Sequence, residues 1–501
     1  MLNTRSVSSD VSVFHEVPSN IVKRRQFLYL ATAVSSTPFL AQCNRRQSSR
    51  PLQSLLRLTS SSGLLDLSLA AQRSTDIQIG GQFVERMTYN GQSPGPIVEV
   101  RAGDTVRLTI ANELDEATNL HYHGLHISPE VDNVFREVVS GASYTYEFQI
   151  PNNHPAVTAW YHPHYHLKVA PQVFNGLAGP LIVRGELDEI PEIQQAQEEV
   201  LVLQDFEPNF PEDEALSTLA KRWGREGSMQ LVNGQQNPVI DLPQNGSLRL
   251  RLINASASRI YQLKLPEHPW FLIATDRGAI AEPTEIETLT LSPGERAELL
   301  IQGQREPGDY ELLSLPYDRG LSEMIQAMGD QAERMTGVVP SAQITLATLR
   351  YAEGNRTTPL PLPKALIPVN PLPNPSNTRE FVLNHGIDST AGSTGFIING
   401  QSFVMDRVNT QVRLNEVEDW HIINKASIDH PFHLHTNRFQ IIERNGKPEP
   451  LMTWKDTVSV RGYESVKIRV KFEDYTGRTV YHCHILDHED RGMMGIVEIV
   501  A

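Results

Sequence analysis

Two cysteines, Cys43 and Cys483, occur in 501 residues, so at most one intramolecular disulfide can form. No C-x-x-C pair exists, which removes the usual ligand pattern of a structural zinc site. No apolar run reaches the ~20 residues that a membrane-spanning helix needs. Positive charge is also in short supply: 44 Lys and Arg face 59 Asp and Glu, a formal net charge of −15, and no long basic run lies beyond the first 50 residues. Nucleic acid and anionic membrane are disfavoured as partners. The remainder is the composition of a soluble globular chain, 40% hydrophobic and 21% charged, with a length that suggests about three domains. Against that background the 17 histidines are unusual, because several crowd into short windows.

The N-terminus reads as an address. Residues 23–28 are KRRQFL, a twin-arginine pair followed by a moderately apolar stretch from Phe27 to Ala41. This pattern predicts an export signal over residues 1–43 and a periplasmic destination through the twin-arginine route. The stretch contains Ser35, Ser36 and Pro38 and is too short to span a bilayer. Its end, Phe39-Leu40-Ala41-Gln42-Cys43, resembles a lipoprotein cleavage box, but Gln42 stands where that box wants a small residue, so a lipid anchor at Cys43 is not favoured. Cleavage near this point leaves Cys483 as a lone thiol in an oxidising compartment, where it needs a role other than a disulfide.

An internal repeat organises the rest. Asn-Gly-Gln occurs at Asn90, Asn233 and Asn399, each time as a hairpin-type turn signal between apolar segments. Each is followed by a stretch of strand-like alternation: GDTVRLTIAN from Gly103, GSLRLRLINAS from Gly246, and the run from Gln411 through DWHIINKAS. Three units on one plan are implied, and short strands punctuated by Gly, Pro and Asn predict an all-β chain of Greek-key sandwiches or barrels. The predicted domains are 75–188, 196–350 and 378–501, with a proline-rich linker over 351–377. One helix is predicted from Leu321 to Met335, where Leu321, Ile325, Met328, Ala332 and Met335 recur at helical spacing. From Asn90 to His121 and from Asn399 to His430 the distance is 31 positions, whereas the same step from Asn233 lands on Lys264. The middle unit therefore has no metal ligand at that point.

Four histidine clusters carry the chemistry: His121-Tyr122-His123, His162-Pro163-His164, His430-Pro431-Phe432-His433-Leu434-His435, and His482-Cys483-His484 with His488. Residues i and i+2 of a strand share a face, so each His-x-His presents two imidazoles to one site while Cys483 points the opposite way. One strand then serves two metal sites joined through its backbone. A cysteine with two histidines and a weak axial methionine is a blue-copper donor set, and Cys483, His488 and Met493 follow in order, with His430 nearby. Eight histidines remain for an all-imidazole site, and beside a copper thiolate copper is the simplest metal for both.

These motifs, in this order and at these separations, resemble those of the multicopper oxidases, the family of laccases, bilirubin oxidases and cuprous oxidases. The resemblance runs from about residue 75 to the end and includes NGQSPGP at Asn90, QVFNGLAGPLIV after the second motif, VNGQQNPV at Val232 and SPGERAELLI at Ser292. One departure is Asp276-Arg277-Gly278, where the family often has two glycines. The resemblance implies three consecutive cupredoxin-like domains with four coppers. His430, Cys483 and His488 would hold a type 1 copper with Met493 as axial ligand, and His121 and His433 a type 2 copper. His123, His162, His164, His435, His482 and His484 would hold the type 3 pair. Asp132 and Glu489 match acidic positions that the family uses near its cluster, and are expected to relay protons; a solvated loop carboxylate is the plain alternative.

The expected partners are dioxygen and a small reducing donor, and the expected state is a monomer. His15, His126, His154, His166, His268, His385 and His421 are expected to be structural or exposed, although His126 and His166 sit beside ligand motifs. Met324, Met328 and Met335 suit a copper-sensing lid like that of cuprous oxidases, or plain helix packing. NKASID, just before His430, has no methionine where cuprous oxidases tend to carry one. A phenolic or other organic donor is therefore expected, with cuprous oxidation as the alternative. A non-catalytic blue-copper carrier would leave eight histidines without purpose, and a copper nitrite reductase does not need histidines on both sides of the cysteine.

Overall fold

The computed structural model describes residues 50–208, 210, 223–320, 322, 342–389, 392 and 394–501. The predicted signal segment and, apart from Ser322, the predicted helix 321–335 with its three methionines lie outside the described residues. Among the described residues no helix is long and apolar enough to cross a membrane.

Alternation decides the sheets. In Thr105–Asn112 and Ser465–Lys471 every second side chain is buried, the pattern of a strand with one face on a core. Among the described residues six sheets form, paired face to face as three sandwiches, each with its own apolar core. Two strands begin before residue 75: Arg57–Thr59, and Leu64–Ile79, which buries Leu65, Leu69 and Ala71 in the first core. A reading keyed to the Asn-Gly-Gln turns does not register them, because they lie before the first such turn.

The repeat in sequence is a repeat in topology. The six- and five-stranded sheets of the second sandwich recur strand for strand in the third, and the first has a shorter version of the same order. His121–His123, Tyr261–Lys264 and His430–Leu434 occupy equivalent places, as do their neighbours Val157–His162, Gly308–Leu315 and Gly477–Cys483. The three turns are equally alike. Asn90, Asn233 and Asn399 have φ of 53°, 51° and 52°, and the following glycines are also in the left-handed region, as a type I′ turn requires. Each asparagine accepts a hydrogen bond from a neighbouring strand (Ala70, Val202 and Val382 N–H at 2.7, 2.8 and 2.7 Å) and donates back to a carbonyl of it. The turn residue thus also sets strand position.

The proline-rich strap is fastened at both ends. Leu366 is buried in the core of the second sandwich and its N–H donates to Ala281 O, while the Gln440 side chain in the third bonds Asn370 O and Leu372 N–H.

Candidate metal centres

Strand register brings the cysteine and its predicted partners together. Gly477–Cys483 pairs antiparallel with His430–Leu434, placing Cys483 opposite Phe432 and His482 opposite His433. Cys483 points into the core of the third sandwich. Its Sγ lies 3.4 Å from His430 Nδ1 and 3.7 Å from His488 Nδ1, and the two nitrogens are 3.3 Å apart. The centre of that triangle is about 2 Å from each donor, the length of a bond from a first-row metal to imidazole. Burial pushes the Cys483 thiol well above its ordinary pKa, so the thiolate needs a cation at this spot to form. Met493 is buried in the same core, its N–H donates to His488 O, and its O accepts from Cys483 N–H. Met494 turns away to pack on Val134, Val480 and Ile496.

The other face of the same strand meets the first sandwich. His482 and His484 join His433 and His435 from the third sandwich, and His121, His123, His162 and His164 from the first; all eight are buried. His121 pairs with His162 across neighbouring strands. His164 Nε2 and His435 Nε2 lie 3.2 and 3.1 Å from His482 Nε2, and His123 Nδ1 lies 3.3 Å from His484 Nε2. His121, His162 and His433 each have a buried Nε2 without a hydrogen-bond partner. Buried nitrogens left unpaired in this number are costly unless something accepts their lone pairs, and metal ions fit that need. Burial, aided by neighbouring imidazoles and at His123 first by the Arg296 charge, holds His123, His162, His164, His433 and His484 well below the usual imidazole pKa; burial brings His435 down to about 3. Neutral imidazole is the form that binds a metal.

Three carboxylates stand behind the imidazoles, each against two of them. Asp132 accepts from His121 Nδ1–H at 2.8 Å and lies 3.5 Å from His435 Nδ1. Glu489 lies 3.1 Å from His482 Nδ1 and 3.4 Å from His164 Nε2. The third, Asp456, was not picked out from the sequence: it accepts from His123 Nε2–H at 3.2 Å and lies 3.7 Å from His433 Nδ1. Burial alone would raise Asp132 and Asp456, but His121 and His435 hold the first, and Arg296 the second, well below the usual carboxylate range. These contacts leave Nε2 of His121, His435 and His482 and Nδ1 of His123 turned to the centre.

The middle sandwich supplies no imidazole here, but it supplies charge. Arg296 donates to both oxygens of Asp456 at 2.7 Å, and Asp276 faces Lys455 at 3.1 Å. Thr158, on the strand that carries His162, donates to Glu298 at 2.7 Å and accepts from Arg251 at 2.8 Å. Arg277 reaches Leu125 O in the first sandwich and Thr436 O in the third. Arg296 and Glu298 lie in the SPGERAELLI run and Asp276 and Arg277 in the departure from the family's glycines, but only tertiary packing tells that they back the centre.

Of the histidines expected to be structural or exposed, His268 bonds Tyr351 within the second sandwich, and His126 ties Thr436 O to Asp474 without reaching a predicted ligand. His385 is exposed, as expected, yet its ring lies edge-on to His430 and His488, with centroids 5.5 and 5.8 Å away. Phe396, its cross-strand partner, stacks on His488 at 4.1 Å. Only the strand pairing revealed this, since His385 lies far from every histidine motif in the sequence.

Family models described as multicopper oxidase match residues 71–188, 198–328 and 373–500. The multicopper oxidase from Campylobacter jejuni, described as a metallo-oxidase, is 32% identical, with a TM-score of 0.78 over 90% of this chain and 96% of that one. A laccase-like multicopper oxidase from Ochrobactrum sp., described as having oxidase activity towards lignin model compounds and lignosulfonate, is 27% identical, with a TM-score of 0.76 over 90% of this chain and 100% of that one. The cell division protein FtsP of Photorhabdus laumondii is 31% identical over 94% of this chain and 97% of its own length. With three family domains in sequence, cupredoxin-like sandwiches to match and histidine clusters able to bind copper, the chain belongs to the multicopper oxidases, oxidoreductases whose cofactor is copper.

Proposed function

We propose that the protein takes single electrons from a small organic donor and delivers four of them, with four protons, to dioxygen, forming two waters. The observation that carries this reading is the convergence of eight buried imidazoles on one face of a strand whose cysteine serves a second site on the other. In the proposed assignment His430, Cys483, His488 and Met493 would hold the type 1 copper. His121 and His433 hold type 2; His123, His162 and His484 hold one type 3 copper, and His164, His435 and His482 the other. Copper so held would supply the one-electron steps and the site where oxygen is reduced.

The chain's own residues have three tasks in this scheme. Cys483 is bonded through backbone to both His482 and His484, so an electron has a short covalent route between sites. Asp132 and Glu489 lie within reach of imidazoles on two sides of the cluster and carry protons inward, a carboxylate accepting from water and donating towards the reacting oxygen. Asp456 and Arg296 keep ring nitrogens aimed at the metals.

An organic donor is favoured by the surface beside His385, where Ile387 on the same strand is 69% exposed and Val404 and Met405 are each 49% exposed, in a segment anchored by Phe403 N–H to Gly492 O. The Campylobacter metallo-oxidase supports the alternative of a metal donor. Fully copper-loaded protein should oxidise a substituted phenol faster than Cu(I), and the reverse order would make cuprous oxidation primary. A cell-division role, suggested by the FtsP relative, is the second reading; a chain that binds no copper when purified with copper in excess would favour it. The Arg24-Arg25 pair supports export, which places the reaction outside the cytoplasm.

A further inference from the structure

A cavity of about 400 Å³ lies where the three sandwiches and the proline strap meet. Its walls include Asn152 and His154 from the first sandwich, Arg277 from the second, Asn370 from the strap, and Arg438 and Trp454 from the third. Arg277 is 1% exposed. Two of its nitrogens donate to neutral carbonyls, Leu125 O and Thr436 O, and Nε–H has no acceptor. The carboxylate nearest to it, Asp456, is 3.8 Å away and already held by both Arg296 nitrogens. Arg438 lies 4.0 Å above the Trp454 ring, and among the described residues no carboxylate forms an ion pair with it.

Charge at this junction does not balance. Four cations, Lys455, Arg296, Arg277 and Arg438, meet three acids, Asp276, Glu295 and Asp456, so one positive charge is in excess. Burial lowers both guanidiniums; Asp456 offsets part of this at Arg277, where the charge of Arg438 adds to the lowering, and Glu473 offsets part of it at Arg438. His154 adds no charge, because its Nδ1–H donates to Pro155 O and its Nε2 accepts from His126 N–H. The acidic residue of the lining, Glu186, is exposed and pairs with neither arginine. A half-closed cavity lined by two arginines, with one positive charge in excess and the Arg277 Nε–H unpartnered, attracts anions more strongly than open surface does, since low dielectric strengthens the attraction and the Arg438 guanidinium can offer two donors at once.

We propose that this cavity binds a small dianionic oxyanion, either inorganic phosphate or a short dicarboxylate, on Arg277 and Arg438, with the carboxamides of Asn152 and Asn370 as further donors. The ligand would clamp three sandwiches together, because its walls come from all of them. Arg277 stands at the departure Asp276-Arg277-Gly278, where the family often has two glycines.

The test is a titration of the full, copper-loaded chain with inorganic phosphate against chloride at equal ionic strength, followed by calorimetry and by thermal unfolding. One phosphate should bind per chain with saturation, and the unfolding midpoint should rise by about 2–4 °C once the site is filled. Arg438→Gln, which alters a partly exposed side chain, should weaken binding at least tenfold, and Arg277→Gly should abolish it. If Arg277→Gly does not fold, Arg438→Gln decides. Saturable binding of succinate in place of phosphate, lost in Arg438→Gln, identifies the dicarboxylate form of the same site. A midpoint that climbs without saturation and equally in Arg438→Gln, or the absence of binding heat with both anions, overturns the proposal.

Discussion

The second and third sandwiches have the same strands in the same order, yet the third carries the proposed copper ligands and the second, among its described residues, carries none. Where the third pairs His433 with His482, the second pairs Lys264 with Leu313 on the equivalent strands, and where the third sets Cys483 opposite Phe432 in its core, the second sets Ser314 opposite Leu263. The fold therefore does not depend on the metal. A handful of side chains on two neighbouring strands decides the difference, because a period of two delivers any residue pair reliably to one face. The middle sandwich has kept a different duty: Arg296, Glu298 and Arg251 fasten the backs of the two metal-bearing neighbours.

The sharpest way to break the comparison is to make the third sandwich resemble the second. Cys483→Ser should abolish the blue thiolate-to-copper absorption and donor-driven oxygen consumption entirely, with folding and most cluster copper unchanged; blue colour that survives would refute the type 1 assignment. Next in size are Asp132→Asn and Glu489→Gln, each of which should slow reoxidation of the reduced enzyme by about 100-fold or more while reduction by donor stays fast. Stopped-flow traces with normal reoxidation in both variants would remove the relay.

The supporting duty of the middle sandwich can be tested from either end of one ion pair. Asp456→Asn should weaken copper retention at the cluster roughly 10- to 100-fold under chelator challenge. Arg296→Leu should cost about 3–5 kcal/mol of stability, because it leaves a buried carboxylate unpaired. If both leave copper retention and the unfolding midpoint unchanged, the middle sandwich is only a spacer.

Acid should separate the sandwiches more gently. In the copper-free protein the buried imidazoles resist protonation, while the unfolded chain takes up protons near pH 6.5. Stability therefore falls as pH drops from about 6.5 towards 3, since the unfolded state binds more protons throughout that window. Hydrogen exchange at pH 7 and pH 5 should show lost protection in the first and third sandwiches and little change in the second, whose one histidine is His268. Copper loading should suppress the difference. The smallest effect expected is a raised type 1 potential in Met493→Leu with the blue colour kept; an unchanged potential would count against Met493 as the axial ligand.

What could be read from sequence was whatever depends on short spacing. The Asn-Gly-Gln turns, the His-x-His pairs and the placing of Cys483 opposite to His482 and His484 all follow from local periodicity. The strand Leu64–Ile79 was legible in principle, since it alternates, but no turn motif announced it. Arg296 lies in the SPGERAELLI run and Arg277 in the departure at Asp276-Arg277-Gly278, but neither segment tells what these side chains touch, and Asp456 has no such marker, because all three meet the centre across a sandwich boundary. His385 shows the same limit: its place beside His430 and His488 comes from strand pairing.

The eight imidazoles come four from the first sandwich and four from the third, the two ends of the described fold. Neither end can complete the cluster by itself, whereas the third carries the full cysteine set. Metal at the cluster then acts as a clasp that closes a loop of several hundred residues, a cross-link of the sort that a secreted protein usually obtains from a disulfide and that this chain, with Cys483 alone among its described residues, does not have. On the proposed assignment assembly and metallation would be coupled: a chain whose last sandwich has not yet folded could not complete the cluster, so copper bound there would mark chains that have been completed.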